Sequence, residues 1–166
     1  MKTLYLVRHA KSDWNINGIA DIDRPLNFRG YRDAHAMSGF MKEKKLLPDL
    51  IISSPAIRAI STALIFCRNL KMRTSEIIIN PDLYETSINH YIDIIRHTDE
   101  RFRSIILFAH NPIISNLASG LITSLTENLP TCATVGIQLP SDCKEWKNFY
   151  NATGELILYD FPKNHI

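Results

Sequence analysis

The stretch Thr3-Leu-Tyr-Leu-Val-Arg-His-Ala10 opens the chain with an apolar run that ends abruptly in an arginine and a histidine. The run shows no alternation of apolar and polar residues, which is typical of a strand buried on both faces of a sheet. Two later stretches, 50–52 and 104–109, have the same character. Segments with apolar residues at helical spacing lie between these runs. This alternation predicts an α/β fold, a three-layer α/β/α sandwich with a mainly parallel central sheet.

The same patterns predict ten elements along the chain. The predicted strands are 3–7, 50–52, 77–79, 104–109, 133–139 and 154–159. The predicted helices are 31–46, 56–70, 89–97 and 111–123. We expect residues 142–150 to form either a short helix or an irregular crossover before the last strand. The sequence shows no internal repeat and no linker rich in Gly, Ser or Pro, so we expect residues 1–166 to form a single domain.

The composition is that of an ordinary globular protein. Of 166 residues, 45% are hydrophobic and 22% are charged, which excludes the collagen-like and disordered classes. The 19 basic and 17 acidic residues leave a formal net charge of +2, too small to indicate nucleic-acid binding. Three widely spaced cysteines fit a reducing compartment. No apolar run approaches the roughly 20 residues of a membrane span. We therefore expect a cytoplasmic protein that binds neither nucleic acid nor membrane.

Basic residues follow three of the predicted strands. Arg8 and His9 follow the first strand, Arg58 lies in the segment after the second, and His110 follows the fourth. Because the carboxyl ends of parallel strands meet at one edge of a sheet, we expect these side chains to converge. Guanidinium groups match phosphate oxygens with paired donors, and helices that begin at the same edge add the positive ends of their dipoles. The sequence therefore predicts a pocket for a phosphoryl group.

Such a pocket can support catalysis by one of its own imidazoles. A neutral imidazole attacks phosphorus and forms a phosphohistidine intermediate, provided that a backbone carbonyl holds its other N–H and fixes the tautomer. The second imidazole and the guanidiniums then stabilise the charge on the phosphoryl oxygens. The sequence contains no metal-binding or Gly-rich phosphate-binding motif. We therefore expect neither a metal nor a cofactor.

Four blocks of the sequence resemble, in order, motifs of the histidine phosphatase (phosphoglycerate mutase-like) superfamily. Residues 8–15 resemble its R-H-G-x-S/T-x-W-N opening, and residues 53–63 resemble its S-S-P-x-x-R-A-x-x-T-A block. Residues 23–30 match the intervening D-x-P-L-x-x-x-G segment, and residues 109–111 resemble the late G-H block. Ala10 and Ala109 stand where the family has Gly, and because both are small the backbone turns should be preserved.

The resemblance implies a role for each site residue. It implies that His9 is the nucleophile. It also implies that Arg8, Arg58 and His110 form the phosphate pocket and that Ser12 and Asn15 line it.

Glu85 is the candidate general acid. It matches the L-x-E placement of the superfamily's catalytic acid in the segment Leu83-Tyr84-Glu85. Cleavage of a phosphate ester needs a proton donor near the leaving oxygen, whereas a histidine can leave as neutral imidazole if its ring is already protonated. The alternative is a surface carboxylate before the following helix, with Ser87 as the helix cap. Both interpretations stay open at this point.

The short connections between the predicted strands leave no room for the inserted lid of the mutases and larger phosphatases. In this respect, and in the stretch from Arg8 to Trp14, the chain resembles the small SixA-type phosphohistidine phosphatases. These act on phosphorylated histidine in bacterial signalling domains, so the resemblance implies a histidine-phosphotransfer domain as substrate and partner. We expect the protein to be a monomer or weak dimer. Two alternatives stay open: a phosphatase of small phosphoesters, and a phosphate-binding module without turnover.

Overall fold

The computed structural model describes residues 1–149 and 153–166. Within these residues the chain forms six strands, β1 to β6, at Thr3–Arg8, Leu50–Ser53, Ile78–Ile79, Ser104–Ala109, Thr134–Gln138 and Glu155–Asp160. It also forms four α-helices, α1 to α4, at Phe28–Glu43, Ile57–Asn69, Ile88–Arg96 and Ile113–Leu121. All ten predicted elements are present and in the predicted order.

The six strands form one sheet in the order β3-β2-β4-β1-β5-β6. β1 pairs in parallel with β4, and β2 pairs in parallel with both β4 and β3. β5 runs antiparallel to its neighbours β1 and β6. The predicted α/β fold with a mainly parallel sheet is confirmed, and β5 is the strand of the described chain that runs the other way.

Helices cover the sheet on both faces. In β1, Leu4 and Leu6 belong to a core that includes residues of α3 and α4. Tyr5 and Val7 belong to a second core, which includes residues of α1 and α2. Successive side chains of a strand point to opposite faces, so an unbroken apolar strand is buried in both layers. This explains why β1 lacks the alternation of a half-exposed strand.

Two helices, α1 and α4, differ from their predicted bounds by more than one residue, for local reasons. α1 begins earlier than predicted because the Asn27 side chain accepts a hydrogen bond from the Gly30 N–H at 2.8 Å, which caps the first turn. It ends at Glu43, shortly before Lys45 turns the backbone into the left-handed region with φ 57°. α4 begins later than predicted, directly after Pro112, since proline lacks an N–H and disfavours helical geometry in the residue before it.

The segment predicted as a short helix or crossover is largely irregular. It contains a short 3₁₀ helix at Trp146–Asn148, and the Trp146 indole is buried and donates its Nε1–H to the Phe102 carbonyl at 2.8 Å. Residue 150, the end of that predicted segment, lies outside the described residues. Among the helices that the structure describes, none has the length and apolar character needed to cross a membrane.

The register of the sheet brings three strand ends together. Arg8, the last residue of β1, pairs with Ala109, the last residue of β4. The next residue, His9, donates its backbone N–H to the Ala109 carbonyl at 3.1 Å, and Ser54 after β2 donates its own to the Phe108 carbonyl at 2.9 Å. The side chains that follow β1, β2 and β4 therefore meet at one edge of the sheet, as predicted.

Candidate active site

His9 lies directly after β1 and is buried. Its Nδ1 atom is 2.7 Å from the Ala10 carbonyl oxygen, and because a carbonyl oxygen only accepts, Nδ1 carries the proton and donates it. Burial, helped by the positive charge of the neighbouring guanidiniums, lowers the pKa of His9 to about 3, although the hydrogen bond to Ala10 opposes this shift. The ring is therefore neutral at pH 7, with the free lone pair on Nε2.

His110 follows β4 and lies beside His9, with the two ring centroids 5.2 Å apart. Its Nε2 atom is 2.7 Å from the hydroxyl oxygen of Ser54. Burial, and next the positive charge of Arg58, lowers the pKa of His110 to about 4. Both imidazoles are thus neutral at pH 7, and the positive charge of the site comes from its arginines.

Arg8 and Arg58 are held by backbone and carboxylate oxygens. Arg8 donates from Nη1 to the Leu129 carbonyl at 2.9 Å. Arg58, in the first turn of α2, donates from Nη1 to the Asp21 carbonyl at 2.7 Å and from Nη2 to the Asp21 carboxylate at 3.0 Å. Arginine stays protonated in proteins, so the site carries two fixed cations in set orientations.

Asp21 is a site residue that the sequence reasoning missed. Besides Arg58, its carboxylate accepts hydrogen bonds from Arg24 Nη2 and from the Tyr84 hydroxyl, each at 2.7 Å. The Tyr84 hydroxyl, followed by Arg24 and Arg58, holds the pKa of Asp21 well below its usual range. The carboxylate therefore stays ionised and fixes two guanidiniums at once. A sequence signal existed in the three-residue spacing of Asp21 and Arg24, but nothing in it indicated the distant partner.

Arg24 is a third arginine of the site. In the sequence it was part of the matching block 23–30 and had no predicted role in the pocket. It is buried and donates a hydrogen bond to the Ser12 hydroxyl oxygen. The Trp14 ring covers the guanidinium, and the distance from Arg24 Cζ to the ring centroid is 3.6 Å. An aromatic face attracts a cation electrostatically, so Trp14 and Ser12 together fix the orientation of this side chain.

These residues surround a small cavity at the edge of the sheet. Its volume is about 210 Å³, and the residues that line it are Arg8, His9, Lys11, Ser12, Trp14, Arg24, Arg58, His110, Asn111 and Thr131. The cavity brings together the predicted nucleophile, the other three predicted members of the phosphate pocket and the predicted Ser12. A larger cavity of about 650 Å³ lies along β2 and the end of α3 and contains none of them.

Three buried nitrogens on this cavity's residues have no hydrogen-bond partner. In the described part of the chain, the buried side-chain nitrogen and oxygen atoms without a partner are Arg8 Nε, Arg58 Nε and His110 Nδ1. A buried polar atom left unpaired costs roughly 1–3 kcal/mol, so such atoms are rare in folded proteins. Three of them around one cavity indicate a ligand that is rich in acceptor oxygens.

Asn15 and Glu85 are not among the residues that line the cavity. Asn15 is exposed, and its backbone N–H donates to the Asp13 carboxylate at 2.8 Å. Glu85 is also exposed and adopts a left-handed φ of 51°. It follows Tyr84, whose ring centroid is 5.5 Å from that of His110. Glu85 is therefore adjacent in sequence to a residue that lies against His110, but it does not line the cavity. Its general-acid role stays a prediction, as does the pocket role of Asn15.

Ser87 holds the predicted position before α3, where it is the N-cap residue. Its hydroxyl pairs with the ring Nδ1 of His90 at 3.1 Å, and no backbone N–H of the helix is capped by this side chain. Ser87 is thus the N-cap residue by position but makes no capping hydrogen bond, and Glu85 is an exposed carboxylate two residues before it.

The donors around the cavity favour an anion over a metal ion. Guanidiniums offer only N–H donors and repel cations. Across residues 1–149 and 153–166, no group of three or more His, Cys, Asp or Glu side chains is arranged to hold a metal ion. The three cysteines, Cys67, Cys132 and Cys143, are free and buried.

Comparison with known proteins gives matches across most of the chain. Residues 4–104 match the family model described as the histidine phosphatase superfamily, branch 1. A relative from Hydrogenobacter thermophilus is 37% identical over 93 residues, which cover 55% of this chain and 43% of that protein. The match thus spans less than half the length of that relative.

Two solved structures match over nearly the full length. A SixA structure from Agrobacterium tumefaciens is 25% identical, with a TM-score of 0.82 and coverage of 97% of this chain and 98% of that chain. A structure of the protein histidine phosphatase SixA with tungstate is 20% identical, with a TM-score of 0.79 and coverage of 99% of both chains. The chain belongs to the histidine phosphatase superfamily, branch 1, and its fold is that of the SixA-type members.

Proposed function

We propose that this protein is a metal-independent phosphatase that acts through a phosphohistidine intermediate at His9. The observation that carries the proposal is the state of this residue. Its ring is neutral, its Nδ1–H is held by the Ala10 carbonyl at 2.7 Å, and it lies in a cavity lined by three arginines. A neutral imidazole with a fixed tautomer is the nucleophile that phosphoryl transfer to nitrogen requires.

In the first step, the Nε2 lone pair of His9 attacks phosphorus. The Nε2–P bond forms while the bond from phosphorus to the leaving group breaks. Arg8, Arg58 and His110 donate to the phosphoryl oxygens, where the charge of the transition state is concentrated. When the substrate is phosphohistidine with a protonated ring, the leaving group departs as neutral imidazole and needs no further proton.

In the second step, water attacks phosphorus and the Nε2–P bond breaks. His9 returns to its neutral state with the proton still on Nδ1, and both hydrogens of the water leave with the phosphate as dihydrogen phosphate. Because burial of the ring favours neutral His9, and the Ala10 carbonyl keeps its one proton on Nδ1, the imidazole is a good leaving group. Each step thus balances without a metal ion.

We propose phosphohistidine on signalling proteins, such as a histidine-phosphotransfer domain, as the physiological substrate. The support is the full-length similarity of the fold to SixA structures and the compact connections between strands, which carry no inserted lid. We also propose that residues 1–166 act as a single domain, that the protein is a monomer or weak dimer, and that it works in the cytoplasm. Three free cysteines support a reducing compartment.

The test is phosphate release from two substrates measured side by side in the presence of EDTA. One substrate is a phosphorylated histidine-phosphotransfer domain and the other is p-nitrophenyl phosphate. We expect faster release from the phosphoprotein, loss of both activities in His9→Ala, and retention of both in the control His90→Ala, at an exposed histidine of α3.

Three results would change the proposal. A preference for p-nitrophenyl phosphate would favour a phosphatase of small esters and strengthen Glu85 as its general acid. Loss of activity in EDTA that added metal restores would contradict metal independence. Phosphate binding without release from either substrate would favour a binding module.

A further inference from the structure

Large apolar side chains are exposed in the two segments that carry Trp14, Arg24 and Arg58 to the small cavity. Trp14, which lines the cavity, is 69% exposed. Ile16, Ile19 and Ile57 are 42%, 37% and 39% exposed. We call these four residues the apolar rim. Single exposed apolar residues are ordinary, but a group of them at one place marks a surface that binds another molecule.

The two parts of the rim are held together by the residues of the site. Ile16 and Ile19 lie in the segment between Trp14 and Asp21, and Ile57 is the first residue of α2. Asp21 accepts two hydrogen bonds from Arg58, the residue after Ile57. This joins the segment to the start of the helix.

The segment is also anchored at its base, so the rim has a fixed place. The Asp13 N–H donates to the Pro25 carbonyl at 2.8 Å, and Ser12 and Leu26 form a β-bridge. Trp14 and Arg24, which lie next to these two anchors in the chain, both line the cavity. The segment that carries the exposed Ile16 and Ile19 therefore begins and ends at the cavity.

The volume of the cavity indicates which part of a substrate enters it and which part contacts the rim. Pockets that enclose most of a small-molecule ligand have volumes of about 300–1,000 Å³, whereas this cavity has about 210 Å³. The residues that line it are largely polar, and the positive charge of Arg8, Arg24 and Arg58 complements a phosphoryl group. The phosphoryl group fits inside, and the molecule that carries it stays outside, over the opening.

We propose that the apolar rim is a docking surface for the protein that carries the phosphohistidine, and that it contacts apolar side chains flanking the modified residue. This proposal rests on the proposed function and adds how the substrate is recognised. A small phosphoester reaches the cavity without covering the rim, so the rim distinguishes a protein substrate from a small one. Ile16, Ile19 and Ile57 are the residues to vary, because they do not line the cavity.

The test compares rim variants on the two substrates. The variants are Ile57→Ser and the double variant Ile16→Ser with Ile19→Ser. The control is Leu47→Ser. Leu47 is 52% exposed and precedes β2, so it lies at the amino ends of the parallel strands, away from the carboxyl ends that form the site. We expect each rim variant to lower kcat/KM about tenfold for a phosphorylated histidine-phosphotransfer domain. We expect kcat/KM for p-nitrophenyl phosphate to stay within about twofold, and the control to change neither.

The outcomes separate this proposal from the proposed function. If the wild-type protein hydrolyses the phosphoprotein and the rim variants do so equally well, the docking surface is wrong and the phosphatase function stands. If the wild-type protein hydrolyses only the ester, the phosphoprotein function is wrong and the docking surface falls with it. If sedimentation shows a wild-type dimer that the rim variants dissociate, a second copy covers the rim and the docking proposal is wrong. Unfolding midpoints confirm that the variants fold, and Ile57→Ser serves alone if the double variant does not.

Discussion

Replacing His9 with Gln should change the stability of the protein by different amounts at pH 8 and at pH 5. In the folded protein the pKa of His9 is about 3, whereas an unfolded histidine has a pKa of about 6.5. At pH 5 the unfolded chain therefore binds a proton at this position and the folded chain does not, so stability falls as the pH falls from about 6.5 towards 3. Gln does not titrate and escapes this loss.

The magnitude follows from the distance between pH 5 and the unfolded pKa. A difference of about 1.5 pH units, at roughly 1.4 kcal/mol per unit, gives about 2 kcal/mol. Whatever His9→Gln costs or gains at pH 8, its free energy of unfolding relative to wild type should be about 2 kcal/mol more favourable at pH 5. The value depends only on His9 remaining neutral when folded.

Urea unfolding of both proteins at the two pH values measures this quantity. The buffers must be free of phosphate, because an anion bound at the site would stabilise the folded state. His90→Gln, at an exposed histidine, controls for the loss of one imidazole from the chain. Equal stability differences for His9→Gln at pH 5 and pH 8 would refute the conclusion that His9 is held neutral.

Three further predictions concern other residues. Glu85→Gln should slow hydrolysis of an alkyl phosphate such as glycerol 2-phosphate far more than hydrolysis of phosphohistidine, because an alkoxide needs a proton donor to leave; equal slowing in the two steady-state assays would exclude a general-acid role. Asp21→Asn should lower the free energy of unfolding at pH 7 by about 1 kcal/mol, a value kept small because the carboxylate side chain is 46% exposed. Since the pKa of Asp21 is lowered in the fold, this stabilisation is present above the unfolded pKa of about 3.9 and is lost as the pH falls below it, so urea unfolding at pH 3 should show a smaller difference. Gly30→Ala should destabilise the protein by roughly 1–3 kcal/mol, because a Cβ there would lie 2.1 Å from the Lys11 carbonyl oxygen; Gly39→Ala, in the same helix with nothing within 4 Å of its Cβ, is the control and should be neutral or stabilising in thermal unfolding.

The residues at the strand ends could be predicted from the sequence because their positions follow from local patterns. Arg8, His9 and His110 each come directly after an unbroken apolar run, and parallel strands place such residues at one edge. Arg58 lies in the first turn of the helix that follows β2. The fold class was predictable for the same reason, since alternating strand and helix patterns have few layered solutions.

Other features depend on contacts between distant parts of the chain. Asp21 and Arg58 are 37 residues apart, and no local pattern reveals that the carboxylate holds this guanidinium. The antiparallel direction of β5 is likewise set by pairing with β1 and leaves no mark within the strand itself. The early start of α1 is a different case, because Asn27 is a preferred cap residue and was visible in the sequence.

The phosphohistidine intermediate at His9 is tested directly by trapping the phosphorylated enzyme and finding the modified residue. Purified protein is mixed with a phosphorylated histidine-phosphotransfer domain, quenched at alkaline pH within the first turnover, digested, and analysed by mass spectrometry. We expect an acid-labile phosphoryl group on the peptide that contains His9, and none in His9→Ala. A phosphoryl group on another residue, or turnover with no phosphorylated enzyme at any quench time, would contradict this intermediate.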